Sequence, residues 1–318
     1  PTNACANGAD INLTSAFPVT GGTNVYTCVG GTCNPSMFYT VGPNTFLDLD
    51  FLGTSTTFNS TIRATATSPQ GCVVSLDRTI TINANPSTFT VAGGGAFCSG
   101  GAGVAVTLPG SQAGVSYQLR RDGTNTGSPV NGTGGSISFG NQTVAGAYTV
   151  VATTAAGCSL IMTGSVNVVV NPLPAQYAVT GGGAFCSGGA GVAVGLADTD
   201  TGVSYQLRLA GVPTGSPVNG TGAAISFGNQ TAAGNYTVLA TITATGCTQV
   251  MTGSVNVTVN PLPAQFTVSG GGSVCSGGPG VTITLGGSET GVNYQLFKDG
   301  VADGAVLGGT GTNLQWTR

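Results

Sequence analysis

Apolar and polar residues alternate over short stretches of this chain. Val115, Tyr117 and Leu119 point one way and Ser116, Gln118 and Arg120 the other, the period of two that marks a half-buried β-strand. Punctuated by Gly-Thr, Gly-Asn and Ala-Gly, the pattern predicts seven short strands between 88 and 170. They fall at 88–91, 104–108, 115–120, around 128–130 and 136–139, and in a closing hairpin of 147–153 and 160–170 that is rich in Val and Thr,. No window carries an apolar period of 3.6 with caps, so helix should be nearly absent. No stretch approaches the roughly 18 consecutive apolar residues of a membrane span. The start, Pro1-Thr2-Asn3-Ala4-Cys5, lacks the basic and apolar regions of a signal peptide, which suggests a mature or excised segment,.

The pattern repeats. Residues 93–106 and 181–194 carry the same fourteen letters, GGGAFCSGGAGVAV. GVSYQL, GSPVNGTG, SFGNQT, MTGSVNV and NPLPAQ recur in the same order, at an offset of 88 residues that becomes 89 after TTAAGC (153–158) and TITATGC (241–247). A third copy opens with AQFTVSGGGSVCSGG and GVNYQL and breaks off at Arg318. Such a period exceeds the roughly 20–50 residues of a solenoid unit and fits one small antiparallel sandwich per repeat. The expected organisation is therefore all-β, with a divergent first domain at 1–85, repeats at 86–172 and 173–261, and an incomplete repeat at 262–318. Asn85-Pro86, Asn171-Pro172-Leu173-Pro174 and Asn260-Pro261-Leu262-Pro263 stand at the joints. Proline fixes φ there, which predicts stiff, short connections and a rod of roughly 30–40 Å per domain.

Composition narrows the chemistry. The 318 residues include 55 Gly and 15 Pro, 5% charged residues and no His. Seven Lys+Arg against ten Asp+Glu cannot supply the cationic footprint of a nucleic-acid binder. Without His there is no Ser-His-Asp triad, Cys-His dyad or imidazole-ligated metal. The single Lys, Lys298, and single Glu, Glu289, leave little for Schiff-base or paired-Glu chemistry,. No enzyme and no cofactor is expected.

The nine cysteines suggest staples. Cys98 with Cys158 and Cys186 with Cys247 have matching spacing, and Cys5 and Cys72 hold the equivalent positions in the first domain. Two intradomain disulfides are expected in the complete repeats, each closing a loop of about 60 residues for roughly 4 kcal/mol, with Cys5 and Cys72 the matching pair of the first domain. Cys28 and Cys33 are left to pair locally, and Cys275 is unpaired in this segment. A metal site is disfavoured because Cys28-x4-Cys33 lacks zinc-ribbon spacing. Oxidised bridges place the protein outside the cytoplasm.

Other candidates weigh less. GGGAFCSGGAG lacks the Lys and spacing of a phosphate loop and is better explained as a tight loop leading into a disulfide,. Asp48-Leu49-Asp50 and Asp198-Thr199-Asp200 could serve calcium, but neither recurs in the repeats, which favours solvated turns,. N-x-[ST] sequons, including Asn131, Asn141, Asn219 and Asn229, arise readily in a chain rich in Asn and Thr. Tyr117, Tyr205, Tyr294, Tyr148 and Tyr236 could stack on sugars, yet their alternation with polar residues favours core packing,.

The frame made by Cys98, Gly100 and Gly101, then 114–119, 145–153, Gly157 and Cys158, with its copies 88 to 89 residues on, resembles the Ig-like repeats, PKD-like and gliding-adhesin type, of large secreted surface adhesins of Bacteroidota. The resemblance covers 86–318 and touches 1–85 only at its two ends. It implies a tandem array of Ig-like antiparallel β-sandwiches in an extracellular, type IX-secreted stalk or adhesin, with no catalytic residues to carry over. The partners it implies are other copies or domains of the same surface protein, surface glycans, or a host or substratum surface.

The first domain lacks the opening strand of the later repeats, and the last lacks the closing hairpin. Either the absent strands lie in a longer polypeptide, the reading favoured because Cys275 lacks a mate, or a processed subunit exchanges strands head to tail into a filament. Three functions follow in order: a non-catalytic stalk or fibre for attachment or gliding, a strand-exchanged filament subunit, and a glycan- or protein-binding module in 1–85. For the last, Phe38, Tyr39, Phe46 and Phe51 are the candidate anchors,.

Overall fold

The computed structural model describes residues 3–6, 8–18, 23–32, 34–49 and 56–318. The protein is all-β with Ig-like sandwiches, and the chain divides into two compact units, Pro1–Leu173 and Pro174–Arg318. Among the described residues the exceptions are a four-residue helix, Leu13–Ala16, and a 3-10 turn, Pro35–Met37. Both begin at an Asn whose side chain accepts a backbone N–H of the first turn,.

In the first unit, the stretch after Asn85 shows the whole repeat. One sheet runs Ile137–Gln142, Val104–Leu108, Ala92–Gly93. The facing sheet runs Thr124–Asn125, Ser116–Arg121, Gly146–Thr153, Val166–Asn171, Gly95–Cys98. Val106, Leu108, Tyr117, Leu119, Tyr148 and Val150 fill the space between them and are buried. Outward positions of the same strands carry Ser, Gln, Thr and Arg, so period-two alternation alone sorts the two faces,.

The Gly93-Gly94-Gly95 run moves the chain from one sheet to the other. Ala92–Gly93 pairs antiparallel with Val104–Leu108, and two residues later Gly95–Cys98 pairs parallel with Val166–Asn171. All three glycines have positive φ, 94°, 70° and 123°. A Cβ on Gly93 would meet the Ala105 carbonyl, and one on Gly94 would lie 2.8 Å from the Asn167 carbonyl. Side chains are excluded on both counts, conformation and space. GGGAFC is thus a sheet switch followed by a strand, where the glycine count suggested a loop. The long arm expected at 160–170 is likewise split into Ser159–Ile161 and Val166–Asn171.

The stretch before Asn85 keeps the larger sheet, with Asn3–Cys5 parallel to Val73–Asn83, then Phe58–Thr67 and Thr23–Gly31. Its second sheet is small: Ile11–Asn12, Asn44–Leu47 and Phe38–Val41. Leu13, Met37, Leu47, Ile62, Ile80 and Ile82 form its core.

In the second unit, 174–260 repeats the whole arrangement. Val179–Gly181, Val192–Leu196 and Ile225–Gln230 form one sheet. Gly183–Cys186, Val255–Asn260, Gly234–Ile242 and Val203–Leu209 form the other. The last stretch keeps the first sheet, Val268–Gly270, Thr282–Leu285 and Leu314–Thr317, around Leu285, Leu314 and Trp316. Of the second sheet it has only Asn293–Tyr294 with Leu307–Gly308, and Phe297–Lys298 with Val301–Ala302.

Candidate functional site

Cys5 is bonded to Cys158, not to Cys72, with Cα atoms 5.5 Å apart. The bridge crosses from the first repeat to the second. Cys72, Cys186 and Cys275 are free and exposed, and Cys28, Cys98 and Cys247 are disulfide-bonded. Cys33 lies outside the described residues. The expected pairs Cys5–Cys72, Cys98–Cys158 and Cys186–Cys247 are therefore corrected, and the sheet geometry explains why.

The first cysteine of a repeat sits beside the end of that repeat's last strand: Cys5 is in register with Asn83, Cys98 with Asn171 and Cys186 with Asn260. The second cysteine lies at the other end of the closing arm, in the hairpin turn before Ser159–Ile161. About 13 residues of near-extended chain separate the two, roughly 40 Å, whereas a disulfide needs Cα atoms about 4.4–6.8 Å apart. The exit end of the first repeat meets the hairpin turn of the second. Cys158 is fully buried there, its Sγ 3.9 Å from the Asn83 carbonyl oxygen.

The candidate anchors of the first repeat separate. Phe38 packs against the core. Tyr39 and Phe46, opposite each other on paired strands, stack with ring centroids 5.3 Å apart and planes 16° from parallel. Tyr39 is 40% exposed, and its hydroxyl donates to Asp10 Oδ2 at 2.6 Å. Asp10 Oδ1 accepts the Leu49 N–H at 2.9 Å, so the carboxylate is fixed by the backbone and in turn orients the ring. That hydrogen bond pushes the Tyr39 phenol above its ordinary pKa, with desolvation and the Asp10 charge adding to it. Phe51 lies outside the described residues. Asp10 was not legible as a partner, since nothing in ADINL announces a contact 29 positions away.

The recurring tyrosines are core residues. Tyr117, Tyr148, Tyr205 and Tyr236 are at most 1% exposed. Tyr117 Oη accepts the Gln112 N–H at 2.8 Å, Tyr205 the Asp200 N–H at 2.9 Å and Tyr294 the Glu289 N–H at 2.9 Å. A buried hydroxyl braces the same corner each time: Ser111, Thr199 and Ser288 each donate at 2.6 Å to a carbonyl 24 positions on. Asp198 and Asp200 are used internally, Asp198 Oδ1 accepting the Thr199 N–H at 2.8 Å and Asp200 Oδ1 the Tyr177 hydroxyl at 2.7 Å. Asp50 lies outside the described residues. Among the described residues, no group of three or more His, Cys, Asp or Glu could hold a metal ion, and no helix is long and apolar enough to cross a membrane.

No protein-family model matches the sequence, and no curated protein is similar to it. Solved structures are similar. A Ca2+-stabilized adhesin that helps an Antarctic bacterium reach out and bind ice shares 19% identity over 86% of this chain and 75% of that one, with a TM-score of 0.34. Fibronectin(III)-like modules of Clostridium thermocellum CbhA share 14% over 55% of this chain and 95% of that one, with a TM-score of 0.31. Murine CEACAM1b shares 12% over 54% and 99%, with a TM-score of 0.30.

Proposed function

We propose that the chain is a stretch of non-catalytic extracellular stalk or fibre, built of Ig-like repeats of the gliding-adhesin type of Bacteroidota surface proteins. Its parts are 1–85, 86–172, 173–261 and 262–318. The observation that carries this reading is the Cys5–Cys158 bridge, which links one repeat covalently to the next. A bond across a module boundary adds nothing to a catalytic cleft, but it keeps two modules together under tension. Near-identical repeats, proline joints and a surface of Ser, Thr and Asn support the same role.

Pulling the chain by its two ends tests it. With the bridge intact, unfolding of the first two repeats leaves 153 residues of separation locked, withholding roughly 500 Å of contour length. A reductant should release that length under load. If the bridge releases no hidden length, or if the first two repeats extend fully without reductant, the tension-bearing role fails.

The exposed Tyr39 ring, stacked on the half-buried Phe46 and held by Asp10, favours a second role for 1–85, stacking against a glycan or a protein surface,. Loss of glycan or host-surface binding in Tyr39→Ala, with the fold retained, would support it; unchanged binding would remove it.

A further inference from the structure

We infer that each complete repeat holds a binding site for one neutral pyranose ring, in a side pocket between its two sheets. The site is separate from the Tyr39 ring of 1–85 and rests on neither role proposed above.

In 174–260 the pocket has a volume of about 160 Å³. It lies between Ile225–Gln230, the edge strand of one sheet, and Val203–Leu209 of the other. Val212–Pro213 and Val218–Asn219, both paired to Val203–Leu209, complete the second wall. Leu207, 1% exposed, and the half-buried Val218 and Phe227 supply apolar surface, and Thr214, Ser216 and Ser226 supply hydroxyls.

Two glutamines hold the walls. Gln206 Nε2 donates to the Leu207 and Thr214 carbonyls at 2.8 and 2.9 Å, and Gln230 Nε2 to the Phe227 and Gly228 carbonyls at 3.0 and 3.3 Å. The pocket is thus shaped by bonds within the protein, which leaves little ordering for a ligand to impose. The same construction stands 88 positions earlier, where Leu119, Thr126, Ser128, Val130, Ser138 and Phe139 hold the equivalent places. Gln118 bonds the Leu119 and Thr126 carbonyls at 2.8 and 2.9 Å, and Gln142 the Phe139 and Gly140 carbonyls at 2.9 and 3.2 Å.

The lining selects the ligand. It carries no charged side chain, so an ion there would lose its hydration with no counter-charge beside it. The occupant is therefore neutral. The volume is below the roughly 300–1,000 Å³ of a drug-sized site, which limits the occupant to a single ring. Ser226 Oγ accepts the Gly228 N–H at 3.1 Å and keeps its own hydrogen to donate, and Ser138 Oγ does the same with Gly140. Hydroxyls donate and accept, so they match the hydroxyls around a sugar ring. The apolar C–H face of the ring meets Phe227, Val218 and Leu207.

The last repeat shows the same space closed. Trp316 stands at the position of Phe227 and Ala305 at that of Ser216. The Trp316 Nε1 donates to the Ala305 carbonyl at 3.2 Å, and the residue is 7% exposed. The indole spans the two walls that Phe227 leaves apart.

The test uses the whole chain carrying Tyr39→Ala, which removes the ring of 1–85. The probes are the methyl pyranosides of glucose, galactose, mannose and N-acetylglucosamine, followed by amide NMR of the chain. One of them should bind with a dissociation constant in about the millimolar range. It should shift the signals of Gly215, Ser216 and Phe227 together with those of Gly127, Ser128 and Phe139. Ser128→Ala with Ser216→Ala, at two exposed positions, should weaken binding about two- to tenfold. Phe227→Trp should abolish the shifts in 174–260 and keep those of the earlier repeat. The serine pair decides the matter if the tryptophan unfolds its repeat. No binding at about ten times the millimolar range, shifts confined to other residues, unchanged affinity in the serine pair, or a folded Phe227→Trp that still binds there would each overturn the proposal. Binding in the wild-type chain that Tyr39→Ala abolishes would belong to 1–85 and would overturn it too.

Discussion

Cys5 and Cys158 are bonded across a repeat boundary, 153 positions apart in the chain. The bridge makes the first two repeats one covalent loop, so neither unfolds without constraining the other. In the chain-entropy model a loop of 153 residues is worth about 5 kcal/mol. The double variant Cys5→Ala/Cys158→Ala should lower the unfolding free energy of Pro1–Leu173 by up to that amount. Calorimetry should show the 1–85 transition parting from that of 86–172. An unchanged melting profile would mean the bridge constrains nothing.

Thiol accessibility separates the two cysteine classes. Alkylation of the unreduced folded chain should label Cys72, Cys186 and Cys275, and leave Cys5, Cys28, Cys98, Cys158 and Cys247 unlabelled. Label on Cys158 in the folded state would refute the bridge to Cys5, and its recovery in one peptide with Cys98 would restore the bridge within a repeat.

The tyrosine corner makes a sharper demand on a single glycine. A Cβ at Gly132 would meet the Gln112 carbonyl oxygen and lie 2.9 Å from Tyr117 Cε2, whereas one at Gly135 would find nothing nearer than 3.8 Å. Gly132→Ala should cost about 1–3 kcal/mol by overpacking, and Gly135→Ala less than about 0.5 kcal/mol. Tyr117→Phe, which strips the acceptor from the Gln112 N–H, should cost about 1 kcal/mol. Urea midpoints of the three variants decide it, and equal losses at the two glycines would refute the steric account.

Strands and core were legible because alternation is a local signal: Val115, Tyr117 and Leu119 announce their face from six letters, and all three are buried. The strand Gly95–Cys98 was hidden because its partner Val166–Asn171 is some 70 residues on and three glycines precede it. Cysteine pairing failed for a related reason. Matching placement of Cys98 and Cys158 and of Cys186 and Cys247 shows that the repeats are equivalent, and equivalence holds equally for bridges within a repeat and between neighbours. Only the sheet, by putting the two cysteines at opposite ends of one arm, distinguishes them. The Tyr39–Asp10 contact is illegible for want of any period at all.

Tyr177 provides a pH signature of the second unit. Its hydroxyl donates to Asp200 Oδ1 at 2.7 Å, and that bond, followed by desolvation and the Asp200 charge, pushes the phenol from 10.0 up to about 12. A phenol whose pKa is higher folded than unfolded contributes stability in full below 10.0 and loses it as pH rises through about 12,. Between those values the wild-type chain should therefore lose stability relative to Tyr177→Phe. Absorbance titration at alkaline pH should show one phenol fewer ionising late in Tyr177→Phe, and an earlier Tyr177 ionisation in Asp200→Asn. If Asp200→Asn leaves the late ionisation in place, the hydrogen bond is not its cause, and burial of the ring must be.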